Sequence, residues 1–519
     1  MSGERVRVVA VLDGTILPAW LHRVLGDLIR SRVADLVGVA FVEAVPPKRR
    51  GLAFRAYQAF DQRVFAQSND PLVPVDVSEQ LARCPRVASP AEARADVALK
   101  LTGAPVPPGW CAEARLGVWS FDHVEGEARG GVPFLWEIAR RHPATETVLS
   151  AHTPAGSRVL VRSSAKTDPT SVVRGRRGPL WKSATFVERA LRKVAERRED
   201  PEERRTPASP AGPERAPGLL ELARLGTHVA LRVGHDRLRR RTHQESWFIA
   251  LRRSQGSLLE GPMRDFVPVH MPADRFYADP ILVPDGERLW LFYEDADRAS
   301  GKGSIRCSEL RADGSLGESH LVLECDYHLS YPFVFRHGDA WFMLPETCEH
   351  GTVELWRAAQ FPWHWKLERV LLSGVTAVDP TLLEHDGRLW LFVGMGETVG
   401  EVRDELFIFS ADALGGEWRP HPRNPVVADV RYARPAGPFF REGGELYRPG
   451  QDCAGGYGSA FWIHRVDRLD EHEYRETPVR RVDKDWYPHL ITTHTIHRAG
   501  GFDVIDGGLW LARGKPFTG

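Results

Sequence analysis

Hydrophobic and polar positions recur at a fixed interval through the second half of the chain. Ala278–Phe292 reads ADPILVPDGERLWLF and Val378–Phe392 reads VDPTLLEHDGRLWLF, with Asp-Pro, an aliphatic run, an Asp-Gly turn and Leu-Trp-Leu-Phe in one register. Between them, Ser330–Pro345 (SYPFVFRHGDAWFMLP) repeats the plan with Ser-Tyr-Pro at its head. The prolines at 280, 332 and 380 stand 52 and 48 residues apart. Asp-Pro reads as a strand start, since proline cannot donate within a ladder. Asp285-Gly286 and Asp386-Gly387 supply the positive φ of a hairpin turn. Leu-Trp-Leu-Phe is an apolar run suited to a strand covered on both faces. Strand-built units repeating at about 40–50 residues predict the blades of a β-propeller. Two weaker units, ARPAGPFFREGGELYRPGQD from Ala433 and HTIHRAGGFDVIDGG from His494, bring the count to five, their headpieces facing one axis. Trp247–Arg252 (WFIALR) reads as a strand contributed ahead of blade one to close the ring.

The first half carries a different pattern. Arg5–Leu12 is a buried-type strand, Trp20–Arg30 has helical periodicity and Leu36–Phe41 is a second strand, a β-α-β opening that implies a parallel sheet. Ala95–Leu101 fits another strand. Leu116–Ile138 reads as a strand, a polar glycine-rich loop and a helix, and Ala184–Arg198 as a further helix. The stretch from Arg197 (RREDPEERRTPASPAGPERAPG) is charged, proline-rich and too poor in apolar residues to order itself, with a helix resuming at Leu219–Arg224. These patterns predict an α/β domain over 1–195, a linker and connecting segment over 196–243 and an all-β propeller over 244–519.

Composition narrows the function classes. The 519 residues carry zero formal net charge, which points to neither nucleic acid nor an anionic membrane as partner. Six cysteines (84, 111, 307, 325, 348 and 453) show no CxxC pair and no zinc-ligand spacing, as expected of thiols in a reducing compartment. With no signal pattern and no apolar run of membrane-spanning length, a soluble cytoplasmic protein is expected.

The first 195 residues resemble the methionyl-tRNA and sugar-nucleotide formyltransferases in the order and spacing of elements. That family's catalytic Asn-x-His falls on Ser120 and Asp122, its Arg-Gly loop near Arg129-Gly130-Gly131, and its downstream Asp finds no counterpart around Pro154–Ser157. Ser and Asp cannot polarise a formyl carbonyl and move its proton as Asn and His do. The resemblance therefore implies a retained fold with a repurposed pocket, in which Asp122, His123 and Arg129 are the candidates. His123 is expected on the opposite strand face.

In a propeller, strand-start residues converge at one mouth. Asp279 (blade one) and Asp379 (blade three) are expected to face each other, with Tyr331, Arg434 and His494 in the equivalent places of blades two, four and five. Glu294 and Glu346 follow in identical register, and Arg448, Gln451 and Asp452 sit similarly in blade four. His494 and His497 form an H-x-x-H, but a strand turns the two rings to opposite faces, so packing or hydrogen bonding is expected there and no metal. Carboxylates, Arg, His and aromatics around one concavity suit a hydroxyl-rich ligand, and paired carboxylates are the means of cleaving or transferring a glycosyl group.

At these positions the chain resembles the five-bladed glycosidases acting on arabinans and xylans, in which a base Asp opens blade one and an Asp opening blade three tunes the acid. Their acid Glu opens blade four, where this chain has Arg434, so Glu346 or Glu294 must serve or the reaction is not hydrolysis. A likeness richer in motifs spans 245–510: ADP…LFYED, SYPF…PET, FP-x-x-W at Phe361–Trp365, VDPTL, ARPAG, YRPGQDC with YGSA, and HTIH…IDG resemble the N-terminal propeller of plant glucosamine inositolphosphorylceramide transferases. In those proteins sugar transfer is attributed to a downstream domain not seen in this sequence. The expectation is a carbohydrate-active enzyme without cofactor, of glycoside hydrolase or transglycosylase type, working in biosynthesis. Asp279 would be base or nucleophile, Asp379 charge modulator and Glu346 acid, while Glu294, Tyr331, Arg434, Arg448, Gln451, Asp452 and His494 bind a carbohydrate or glycoconjugate. The alternatives are a non-catalytic glycan or nucleotide-sugar module serving a partner protein, and formyl or acyl transfer by the N-terminal domain.

Overall fold

The computed structural model describes residues 5–46, 50–66, 68–196, 215–396, 402–515 and 517. The chain forms two compact units, the first running to Val233 and the second taking up at Gly234.

The first unit is a six-stranded mixed sheet flanked by helices. In spatial order its strands are Ala34–Phe41, Val6–Leu12, Val97–Lys100, Val118–Phe121, Ala144–Thr153 and Gly156–Lys166. The first four run parallel, Ala144–Thr153 runs against them, and Gly156–Lys166 pairs antiparallel with Ala144–Thr153. One face packs Val8, Ala10, Leu99, Trp119 and Phe121 against Trp20, Leu25 and Phe186 from the helices. The other packs Val9, Val11, Ala98 and Val118 against Trp110 and Ala114. The closing hairpin, Ala144–Lys166, was not legible as strands. The segment read as a polar loop after Phe121 is instead the helix Asp122–Ala128, since Val124 and Ala128 give that charged stretch an apolar edge. Residues 197–214, within the expected linker, lie outside the described residues. The helix resuming at Leu219 continues to Thr242, with Leu225 buried on Phe54, Leu135 and Ile138. Among the described residues, no helix is long and apolar enough to cross a membrane.

The second unit contains five four-stranded sheets, the five predicted blades. Blades one to four follow in sequence: Arg275–Leu323, Ser330–Ser373, Ala377–Pro420 and Phe440–Val482. Blade five is composite. Ile496–Ala499 and Phe502–Ala512 supply its inner strands, and the earlier His243–Arg253 and Val267–Pro268 its outer ones. The strand around Trp247 thus closes the ring by pairing along the whole of Phe502–Ala512.

The Asp-Pro pairs do not start strands. Asp279-Pro280 lies inside Arg275–Asp285, where the ladder passes from Ala278↔Glu294 to Ile281↔Phe292. Tyr331-Pro332 and Asp379-Pro380 occupy the same bulge in blades two and three. A bulge suspends pairing for a residue, so it accommodates proline as well as a strand end does.

A carboxylate cluster on the propeller axis

The three bulges set the site. Asp279, Tyr331 and Asp379 have φ of 51°, 44° and 50°, a left-handed conformation that costs a non-glycine residue about 1–3 kcal/mol and is rarer still before proline. The conformation turns each backbone N–H toward the axis, where a carboxylate from the preceding blade receives it. The Asp279 amide donates to Asp506 Oδ2 (3.2 Å), the Tyr331 amide to Asp279 Oδ2 (3.2 Å) and the Asp379 amide to Glu346 Oε2 (3.3 Å). Blade five thus holds blade one, blade one holds blade two and blade two holds blade three. Blade four joins through side chains: Arg434 donates to both oxygens of Asp379 (2.6 and 2.9 Å) and to Glu346 Oε2 (3.1 Å), and Gln451 donates to Asp379 Oδ2 (2.8 Å). Tyr331 Oη reaches across to Thr381 Oγ1 and accepts from the Gly437 amide.

Register explains why Arg434 fits. Glu294 stands opposite Ala278 and Glu346 opposite Ser330; the residue so placed in blade three is Gly394, opposite Val378. A Cβ on Gly394 would come 2.9 Å from Val378 Cγ2 and 3.6 Å from Arg434 Cγ. Two blades carry a glutamate at this level, and the third leaves the volume into which Arg434 extends.

On the other side of the axis, His494 Nδ1 contacts Asp506 Oδ2 at 2.6 Å and its Nε2 lies 3.7 Å from Asp279 Oδ1, which also accepts from Thr495 Oγ1. The imidazole stacks on Trp247 (4.3 Å) and meets Tyr457 edge-on (5.1 Å). Burial alone would lower the His494 pKa, but the Asp506 and Asp279 carboxylates outweigh it and raise it. Burial, with Asp379 and Asp506 nearby, lifts Asp279 to about 6 against the opposing pull of His494. Burial, then the charges of Asp279 and Glu346, push Glu294 well above the usual carboxylate range. Its nearest basic group is His328 Nε2 at 3.4 Å, an imidazole whose own pKa burial depresses. Burial also raises Glu346, although Arg434 opposes it. Arg434 remains a cation because Asp379, Tyr457 and Glu346 outweigh its desolvation.

Asp279, His494 and Asp506 each present a possible ligand atom, all within 4.8 Å of one another. Asp506 already accepts from the amides of Asp279, His494 and Thr495, so a cation there would have to replace its bond to His494.

Most of the expected residues converge: Asp279, Glu294, Tyr331, Glu346, Asp379, Arg434, Gln451 and His494 belong to this cluster. Two do not. Arg448 is buried in a bidentate pair with Glu476 of its own blade (2.7 Å to each oxygen) and bonds the Tyr432 carbonyl in the segment leading into that blade. Asp452 pairs with Arg481 and accepts from the Ala454 amide. Alternation along Glu445–Asp452 turns Gln451 to the axis and its neighbours away. His497 accepts from the Leu282 amide, on the opposite face from His494. Sequence reasoning missed Asp506 and Tyr457, although both lie in quoted motifs, IDG and YGSA. Tyr457 is half-buried, with the Arg434 and Arg403 guanidinium carbons 5.0 and 4.8 Å from its ring centre.

In the first unit, Asp122 is exposed as a residue, but its carboxyl accepts from Ser150 Oγ (2.8 Å) and is desolvated enough to raise its pKa. Arg129 ends the helix Asp122–Ala128 and is exposed. His123 sits among Trp20, Phe121 and Phe134 with both ring nitrogens buried and unpartnered, and burial lowers its pKa to about 3. It is a packing residue.

Residues 267–486 match the family model described as glucosamine inositolphosphorylceramide transferase 1, N-terminal. Glucosamine inositolphosphorylceramide transferase 1 of Oryza sativa subsp. japonica is 36% identical over 246 residues, 45% of this chain and 33% of that protein. Its Arabidopsis thaliana counterpart is 36% identical over 208 residues, 39% of this chain and 27% of that protein. The chain thus spans about a third of the length of these curated relatives. Among solved structures, the family 117 glycoside hydrolase Zg3597 from Zobellia galactanivorans is similar over 50% of this chain and 90% of its own, with a TM-score of 0.34 and 10% identity. RS223 β-xylosidase is similar over 46% and 92%, with a TM-score of 0.36 and 10% identity. Over residues 267–486, then, the propeller is a match to the N-terminal region of the glucosamine inositolphosphorylceramide transferase 1 family, the likeness to which its repeated motifs pointed.

Proposed function

We propose that the axial cluster is a glycosyl-processing site acting on a glycoside or glycoconjugate. One observation carries the reading: among the described residues, Asp279 and Glu294 are buried carboxyls of one electrostatically coupled cluster that meet no guanidinium. A carboxyl lifted to about 6 can take up and release a proton near neutrality. A carboxyl raised well above its usual range, as Glu294 is, can carry a proton to donate to a leaving oxygen. Asp279 is therefore assigned as base or nucleophile and Glu294 as general acid. Glu346, first expected as the acid, is held by Arg434 and takes a charge-balancing role with Asp379. His494, backed by Asp506, tunes Asp279. The curated relatives' name, with its glucosamine transfer to a phosphorylated lipid, supports a carbohydrate-bearing substrate. Work in a reducing cytoplasm, with six unpaired thiols, belongs to the same proposal.

The Arg434 contacts favour a second reading, a recognition module presenting a glycan or nucleotide-sugar to a partner enzyme: a guanidinium neutralises two of the carboxylates, and the amide contacts make others struts of the fold. A formyltransferase-like character of the first unit rests on order and spacing alone.

The test is turnover of aryl glycosides and glycolipid headgroup analogues by wild type, Asp279→Asn and Glu294→Gln. Asn at 279 can still accept from the Tyr331 amide and donate to Thr495, so the bulge survives. Turnover is expected in wild type only, reduced at least about 100-fold in each variant. Ligand-induced thermal stabilisation of all three proteins without turnover would establish the recognition module instead.

A further inference from the structure

The first unit carries a polar constellation that its packing does not require. Alternation places Ala98 and Lys100, Val118 and Ser120, and Ser150 and His152 on one face of the sheet. Through Ala98 and Val118 this face is the one covered by Trp110 and Ala114. Toward the carboxyl ends of its parallel strands it turns from apolar to polar. Lys100, the last residue of its strand, is buried and donates to Glu125 (2.6 Å). Ser120 Oγ lies 2.9 Å from His152 Nε2, and His152 Nδ1 lies 2.7 Å from Ser157 Oγ. Ser150, paired with Ser120 across the ladder, donates to Asp122. Ser120 stands near the carboxyl end of its strand and reaches back to His152, which pairs with Val118 one level nearer the amino end.

We infer that Ser120 and His152 form a nucleophile–base pair, a second reactive site that takes a small activated acyl group such as an ester or thioester. The geometry supplies the parts such a pair needs: a hydroxyl within hydrogen-bonding reach of an imidazole, and a third group orienting the ring. When Nδ1–H donates to Ser157 Oγ, Nε2 is left to accept the Ser120 proton. Asp122, whose charge and that of His152 act on each other, stabilises the imidazolium that results. Ser120 is buried, His152 half-buried and Asp122 exposed.

The step balances within the site. Ser120 Oγ bonds to the acyl carbon as its proton passes to His152 Nε2. The carbon–oxygen or carbon–sulfur bond to the leaving group then breaks, and His152 returns the proton to the departing alcohol or thiol. Water or an acceptor hydroxyl then attacks the Ser120 ester as its proton passes to His152 Nε2; the acyl carbon–Oγ bond breaks, and His152 returns that proton to Ser120 Oγ. The inference is independent of the propeller's chemistry, and Asp279 and Glu294 take no part in it.

A fluorophosphonate probe on the full-length chain tests it: attack by Ser120 forms an oxygen–phosphorus bond and expels fluoride. One adduct per chain is expected, mapped by mass spectrometry to Ser120, absent in Ser120→Ala and formed at least about 100-fold more slowly in His152→Asn. An unlabelled wild-type chain, an adduct on another residue, or a folded His152→Asn labelling at the wild-type rate would overturn the assignment. Mapping needs no variant, so a Ser120→Ala protein that fails to fold leaves the decision intact.

Discussion

Arg434 decides much of what the cluster does. It occupies the place expected of a proton donor, yet it closes on Asp379 at 2.6 and 2.9 Å and on Glu346 at 3.1 Å with about 7% of its side chain exposed. A buried pair of this kind contributes little net stability when whole, but losing one partner strands a desolvated charge. Arg434→Gln is therefore expected to lower unfolding free energy by about 3–5 kcal/mol in urea melts. Adding Asp379→Asn should recover part of that loss, because the neutral amide no longer needs a cation. Equal destabilisation in the single and double variants would show that Arg434 acts through its volume.

At the scale of elements, the bulge is the unit of design. The same device, a left-handed residue before proline, appears in blades one, two and three, and in each the freed amide meets a carboxylate from the blade before. The side chain of the bulged residue either continues this chain, as Asp279 does, or ties across the axis, as Tyr331 does to Thr381 and Gly437. Tyr331→Phe keeps the ring but leaves the Gly437 N–H and the Thr381 hydroxyl without that oxygen. A buried donor without a partner costs about 1–3 kcal/mol, so the melting temperature of the propeller should fall while its far-UV circular dichroism stays unchanged. An unchanged melting temperature would place water or another acceptor at those groups.

For the whole molecule, the buried charges make propeller stability depend on pH. Asp279 has its folded pKa raised to about 6, above its unfolded value. Its contribution is thus fully present below the unfolded pKa and lost as pH rises through about 6. His494, also raised, adds stability below its unfolded pKa that is lost as pH climbs through its folded value. The two slopes have the same sign. Stability should decline as pH moves from about 4 to about 8, with Asp279 accounting for about 2–3 kcal/mol. In pH-resolved thermal melts, Asp279→Asn is expected to flatten the decline. A slope identical to wild type would mean that other groups set it.

The sequence by itself determined the five-fold repeat, the closing strand near Trp247, the β-α-β opening and most of the axial residues, because periodicity and turn chemistry are local. Asp279, Tyr331, Asp379, Arg434 and His494 were legible as equivalents since repeats in one register must converge on one axis. Only the tertiary structure decided their partners. Whether Arg434 would neutralise Asp379 depended on the space left by Gly394, a residue about forty positions away in sequence. That Arg448 would turn to Glu476, and Gln451 to Asp379, followed from one residue of strand alternation in an irregular blade. Asp506 escaped notice because its role is to receive the amides of Asp279, His494 and Thr495, bonds with no sequence signature. The Ser120–His152 pair was hidden likewise: its members lie 32 positions apart on adjacent antiparallel strands, and only ladder register brings such residues within reach.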